Sequence, residues 1–294
     1  MQFIDPRTDF AFKKIFGSEQ SKPILISFLN AMLYDGQTVI EDLEIIDPYL
    51  APKIQGIKDT FVDVKARLQG GVCVIIEMQI LNTDGLEKRI LYNAAKAYST
   101  QLLKGEAYRE LSAVIALTIT DFVMFPEHPE LQSAFVLKEK HRLTDYPTGD
   151  LELVFIELPK FIKTLDELSG VKEKWLYFLS QAPNLEVVPE KMGEVPEIGQ
   201  AFVIANQANL TKEEEDIQQR KLFFIHAPRL AVERAERVAH EKGLAEGIAE
   251  GKAEGSEQRA IEIARKLLTQ MTDAEIAALT ALTLTDIAAL RTET

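Results

Sequence analysis

The sequence predicts a layered α/β domain followed by a long helical appendage. Three observations lead there. A strand-like alternation around residues 58–68 is followed, after Gly70-Gly71, by the almost wholly apolar run VCVIIEMQIL at 72–81. Helical patterns flank this pair, with a second apolar strand beyond. From about Lys212 to Gln270 the chain reads as one helical run with few breakers.

In order, residues 8–33 read as two helices. Thr8 and Asp9 are N-cap candidates, Phe10, Phe12, Ile15 and Phe16 form an apolar stripe, and Gly17-Ser18 interrupts before Ile24, Leu25, Phe28, Leu29 and Leu33. Residues 39–46 read as a short strand. Lys58 to Leu68 is a clear strand in which Val62, Val64, Ala66 and Leu68 alternate with Phe61, Asp63, Lys65 and Arg67. Leu86 to Lys104 reads as a helix, Leu111 to Thr120 as a buried strand, residues 151–157 as another strand, and 160–182 and 195–209 as helical. The aromatics Phe10, Phe12, Phe16 and Trp175 are expected in the core.

Three regions are expected: a domain over 1–210, a helical connector over 211–270, and a small helical hairpin over 271–294. Within the connector Gly243, Gly247, Gly251 and Gly255 recur every fourth residue. The ridge could pack closely against another helix. Each mid-helix Gly also costs about 0.8–1 kcal/mol relative to Ala, which favours a loosely held connector. In the hairpin, Thr272 with Glu275 matches a capping box and Thr283 with Asp286 a second helix start. Its only basic residue is Arg291, which argues against DNA contact there.

With 294 residues, 46% hydrophobic and 27% charged, the chain can bury a full core. The single cysteine, Cys73, excludes an intramolecular disulfide framework and fits a reducing compartment, and four scattered histidines form no zinc cluster. The first residues carry charge too early for a secretory signal, and no apolar stretch is long enough for a membrane span. A cytoplasmic protein with no membrane partner is therefore expected. The net charge of −13 counts against a simple nucleic-acid binder. It is uneven, however: residues 1–125 carry 13 Lys and Arg against 16 Asp and Glu, and the remainder 20 against 30.

The chemistry concentrates on the hairpin. Glu77 and Gln79 are two apart and share a strand face within an apolar run, where an ionised Glu is costly unless paired or metal-bound. A two-residue turn at Gly70-Gly71 would set Asp63 opposite Met78. A three-residue loop at 69–71 would set it opposite Glu77, and only that register brings the two carboxylates together. Magnesium takes oxygen ligands and keeps several waters, so two carboxylates and a carbonyl suffice to hold it. By spacing alone, solvated edge carboxylates are the commoner explanation of the pair.

The strings DFAFKKIFG, KDTFVDVKA and VIIEMQ, and the helix with Arg89, Tyr92 and Tyr98 leading into QLLKGEAYREL, resemble the recombination-promoting nucleases, that is, the PD-(D/E)xK nuclease family transposases. The resemblance runs over residues 3 to about 125 and returns in the glycine tract and leucine-spaced tail, while 126–235 resemble the family loosely. It implies a restriction-endonuclease-like core, a mixed β-sheet flanked by helices, and metal-dependent DNA cleavage linked to recombination or mobile elements. It maps an Asp and a Glu-x-Gln onto Asp63, Glu77 and Gln79, with Gln where the wider superfamily usually has Lys. Asp63, Glu77 and the Met78 carbonyl would then bind Mg²⁺ or another divalent cation such as Mn²⁺. Gln79 would orient the attacking water, Lys65 could supply the missing charge, and Asp9 could be an accessory acid. Arg89, Tyr92, Asn93 and Lys96 fall on one helix face. There Arg89, Tyr92 and Lys96 could contact DNA, or the face could be an ordinary solvated one. The alternative is a nuclease-like fold kept for DNA binding or for homo-oligomerisation through the C-terminal helix.

Overall fold

The computed structural model describes residues 2–50 and 60–292. The expected strand start at Lys58 lies outside them. Helix α1, Asp9–Phe16, begins at Thr8, whose hydroxyl accepts the Ala11 N–H at 3.3 Å. Helix α2, Lys22–Tyr34, has Pro23 in its first turn and ends at Asp35 in the left-handed conformation. Strand β1 is Leu43–Ile46. The expected 58–68 strand is divided: β2 (Tyr49–Leu50) pairs with β3 (Thr60–Phe61), and β4 (Val64–Leu68) follows a break.

Strand β5, Cys73–Gln79, pairs antiparallel with β4, Val64 against Ile76 and Arg67 against Cys73. Residues 69–71 therefore form a three-residue loop, closed by the Leu68 N–H to the Val72 carbonyl at 2.8 Å. Gly70 and Gly71 both hold φ at 92°, a region that side chains with a Cβ avoid. A Cβ on Gly71 would also meet the Ser112 hydroxyl at 2.8 Å.

Helix α3, Leu86–Ser99, crosses over to β6, Val114–Thr120, which runs parallel to β5. It stops five residues short of the expected Lys104. Strand β7, Gln132–Val136, is an element the residue pattern does not announce; it pairs antiparallel with β8, Leu151–Glu157. The six-stranded order is β1-β4-β5-β6-β8-β7, with β5, β6 and β8 parallel. Helices α4 (Val171–Gln181), α5 (Glu190–Gly193) and α6 (Pro196–Ala205) follow.

Apolar side chains fill both faces of the sheet. On one, Val74, Ile76, Met78, Leu117 and Ile156 pack with α1, α2, α4 and α6. Phe12, Phe16, Phe28, Trp175 and Phe178 are fully buried there, and Phe10 is partly buried against them. Trp175 lies 5.7 Å from Phe16, Phe28 and Phe178, and its indole N–H donates to the Ser27 hydroxyl at 3.1 Å. On the other face, Cys73, Ile75, Val114 and Ala116 pack with Ala94 and Ala97 of α3. Burial pushes the Cys73 thiol up, so the thiolate is disfavoured. The N-terminal segment joins the end of α6: the Ile4 N–H donates to the Ala205 carbonyl at 2.8 Å and the Gln207 N–H to the Gln2 carbonyl at 2.9 Å.

The chain divides into two compact units, residues 1–225 and 226–294. The division falls within α7, Lys212–Leu267. In the first unit, the start of α7 is tied to α1 by a Lys14–Glu214 ion pair. In the second, α8 (Asp273–Thr280) and α9 (Leu284–Thr292) enclose a small core of Ala264, Leu268, Ile276, Ile287 and Leu290. The Thr272–Glu275 capping box forms. Arg291 is used internally, donating to Asp273 and to the Leu268 and Met271 carbonyls. A Cβ at Gly243, Gly247, Gly251 or Gly255 would meet nothing within 4 Å among the described residues.

Candidate active site

The odd-numbered residues of β5 face α3, which brings Glu77 and Gln79 beneath that helix. Glu77 is only 6% exposed. Its Oε1 accepts from Asn93 Nδ2 at 2.6 Å and its Oε2 from Gln79 Nε2 at 3.1 Å. Arg89 Nη2 donates to Gln79 Oε1 at 2.5 Å and stands 4.0 Å from Glu77 Oε2. Burial pushes the Glu77 carboxyl above its usual range, opposed by the Asn93 hydrogen bond and the charges of Arg89 and Lys13. Asn93 is 1% exposed, and its Oδ1 has no hydrogen-bond partner among the described residues.

Asp63 enters from the neighbouring strand in the register of the three-residue loop. Val62 packs on the α3 face whereas Val64 packs on the opposite one, so side-chain alternation slips at the break before β4. The Val62 N–H leaves the β4–β5 ladder for the Pro48 carbonyl. Asp63 is consequently not simply on one face with Glu77 and Lys65. Its Oδ2 turns along the sheet to accept the Met78 N–H at 2.8 Å, one residue from Glu77. In a strand, a residue's N–H and C=O point to the same side, so the Met78 carbonyl also faces the Asp63 side. The neighbouring Gln79 carbonyl faces away, accepting the Asp121 N–H at 2.9 Å.

Helix α1 completes the surroundings of Asp63. Thr8, not Asp9, is the N-cap, which leaves the Asp9 carboxyl to hydrogen-bond with that of Asp63. Lys13 Nζ lies 2.6 Å from Asp9 Oδ1 and 3.5 Å from Asp63 Oδ1. Burial first, then the Asp9 carboxyl, pushes Asp63 up to about 7, against the pull of the Met78 N–H and the Lys13 charge.

The remaining predicted residues are placed less uniformly. Lys65 opposes Ile75 and lines a groove with Arg67, Cys73, Thr100, Gln101 and Glu110. The charge of Lys65 acts on the Cys73 thiol, while those of Asp9, Lys13 and Arg89 act on Asp63 and Glu77. The alternation slip explains this departure from the expected shared face. Arg89 and the half-exposed Tyr92 line a groove of about 480 Å³ with Thr60, Gly85 and Lys88. Lys96 is only 7% exposed; its ammonium sits 5.7 Å from the Tyr92 ring and 3.5 Å from the Thr60 hydroxyl, so it is not presented to solvent as a phosphate contact requires.

Sequence reasoning passed over Lys13 and the hydrogen bonds of Asn93 and Arg89. The only local signal was the i,i+4 spacing of Asp9 and Lys13. The other pairings join β5 to α3 and depend on how the crossover helix docks.

An antiparallel β1-β4-β5 edge running into parallel β5-β6-β8, helices on both faces, and an Asp and a Glu-x-Gln on the central hairpin define a PD-(D/E)XK nuclease-like core. The family model described as PD-(D/E)XK nuclease family transposase matches residues 6–234, and the chain belongs to that family. The match runs through 126–234, where residue strings alone resemble the family loosely, and stops before the glycine tract. Neither the comparison with curated proteins nor that with solved structures gives a match. No described helix is long and apolar enough to cross a membrane.

Proposed function

We propose that this chain is a divalent-metal-dependent DNA endonuclease, cytoplasmic, acting in recombination or mobile-element biology. The observation that supports the reading is the placement of two largely buried carboxyls, Asp63 and Glu77, at the same end of the β4–β5 hairpin. Asp63 grips the peptide N–H directly after Glu77, and both carboxyls are pushed up by burial. Two buried carboxyls with a third, Asp9, against one of them are a poor arrangement unless a proton or a cation intervenes. The donors are hard oxygens. Among the described residues no three His, Cys, Asp or Glu side chains gather to hold a metal by themselves. Such a set fits Mg²⁺, or Mn²⁺, held by one or two carboxylates, a carbonyl and waters, rather than a soft or fully caged metal.

In this reading Asp63, Glu77 and the Met78 carbonyl hold the cation, and Asn93 fixes the Glu77 carboxylate. The cation, when bound, neutralises charge at phosphorus and lowers the pKa of a bound water. Gln79 holds the attacking water by hydrogen bonds. Asp9 acts as the accessory acid, linked to Asp63 and Lys13. The groove with Arg89 and Tyr92 receives the DNA strand, and Lys96 braces the Tyr92 ring from within. Copies of the chain could associate through the C-terminal helix.

The test is nicking of supercoiled plasmid with Mg²⁺ or Mn²⁺, with chelator, and with Asp63→Ala. Cleavage should require the cation and be lost in the variant. If Asp63→Ala cuts as well as the parent, a non-catalytic DNA-binding or assembly role takes over, and of these the net charge of −13 favours assembly over DNA binding.

A further inference from the structure

Charge builds up on a phosphodiester as it is hydrolysed, and a neutral amide at Gln79 supplies none to offset it. Among the described residues, two cations approach the site. Lys13 is committed to Asp9 and Asp63. Arg89 is joined to Gln79 itself, Nη2 to Oε1 at 2.5 Å, with Glu77 on the far side of the same amide at 3.1 Å.

This sandwich fixes which way the amide points. With Oε1 toward the guanidinium and Nε2 toward the Glu77 carboxylate, both hydrogen bonds pair a donor with an acceptor. The flipped amide would set N–H against N–H on one side and oxygen against carboxylate on the other. One amide hydrogen is used on Glu77 Oε2, and the second remains for a bound group. A guanidinium on the amide oxygen also polarises the amide and strengthens its N–H as a donor.

We propose that Arg89 is a positioning residue that makes Gln79 a fixed, polarised hydrogen-bond donor to the scissile phosphate or its attacking water. The inference rests on the nuclease reading and sharpens it. Arg89 then acts chiefly on the chemical step rather than as a simple phosphate contact. Gln79 and Arg89 together take the place of one lysine, and Lys65 has no part in it.

Two measurements on the full chain test this. The first does not need activity. In ¹⁵N-glutamine-labelled protein, the Gln79 side-chain amide is assigned by its loss in Gln79→Ala. Arg89→Ala should shift it and raise its solvent exchange several-fold, by about the amount expected for a lost hydrogen bond. An unchanged amide signal overturns the inference.

The second is steady-state plasmid nicking in Mg²⁺. Arg89→Ala should lower kcat by about 10²-fold, the scale for one donor aimed at developing charge, with KM for plasmid changed less than about threefold. Arg89→Lys should recover part of the loss. In a Gln79→Lys background, Arg89→Ala should cost less than about threefold, because the lysine carries its own charge and needs no orientation. A raised KM at constant kcat, or an equal loss in the Gln79→Lys background, overturns the proposal. A parent chain that cuts no plasmid overturns the functional reading instead, and the amide measurement still decides whether Arg89 sets Gln79.

Discussion

Lys160 shows how a single residue can hold a segment that carries little secondary structure. Its ammonium pairs with the fully buried Glu157 at 2.5 Å and donates to the Phe125 and Glu130 carbonyls at 3.0 and 3.3 Å. Glu157 in turn accepts the Met124 and Phe125 N–H groups at 2.6 and 2.9 Å. Removing one partner of a buried pair costs about 3–5 kcal/mol because the other charge is left uncompensated. Lys160→Met should therefore destabilise by about 3 kcal/mol in urea denaturation, the low end because two N–H groups still serve Glu157. A loss below about 1 kcal/mol would show that water replaces the ammonium. At this scale the sequence was partly legible. A glutamate inside VIIEMQ announces itself, because an apolar strand has no cheap place for it. The partners of Glu77 did not, since Asn93 and Arg89 reach it from a helix whose docking no local pattern encodes. The shared face expected for Lys65 and Asp63 failed for a related reason: alternation was counted across residues 62–64, where it slips.

The loop at residues 69–71 sets the β4–β5 register on which the position of Asp63 depends. Both turn glycines hold a left-handed backbone, so Ala at either position should cost about 1–2 kcal/mol. Gly71→Ala must also turn away the Ser112 hydroxyl, whereas nothing lies within 4 Å of a Cβ on Gly70. Urea denaturation should thus rank Gly71→Ala as the less stable variant. Equal midpoints would mean that Ser112 rotates freely and the backbone term acts alone. The sequence offered both loop lengths and said which one the chemistry needs, and the β4–β5 register agrees with the longer loop. The strands β5, β6 and β8 were readable as apolar runs. Strand β7 was not, because its residues are half-buried or exposed at a sheet edge and carry no hydrophobic pattern. Helix α3 ends early at its cap residue Thr100, whose Oγ1 donates to the Lys96 carbonyl at 2.7 Å.

At the scale of the whole chain, the family match ends at residue 234 and the first compact unit at 225. Removal of residues 240–294 should leave a cooperative thermal transition by calorimetry, because every buried residue of the sheet and its flanking helices precedes the cut. Loss of that transition would mean the tail is part of the folding unit. Sedimentation of the same truncation tests self-association through the tail; an unchanged association state removes the helix as the assembling element. The long helix was legible from its lack of breakers. The position of the division within it was not, since helical periodicity continues straight through.

The pairing of residues 2–4 with 205–207 brings the two ends of the nuclease core side by side. The core's beginning and its outlet lie at one spot, so a lineage can exchange, lengthen or lose whatever follows without rethreading the sheet. The same closure puts α1, with Asp9 and Lys13, a few residues from the seam, and Lys14 grips the first turn of what comes next. A change at the start of α7 would therefore reach first the helix that carries Asp9, before it reached the β4–β5 hairpin.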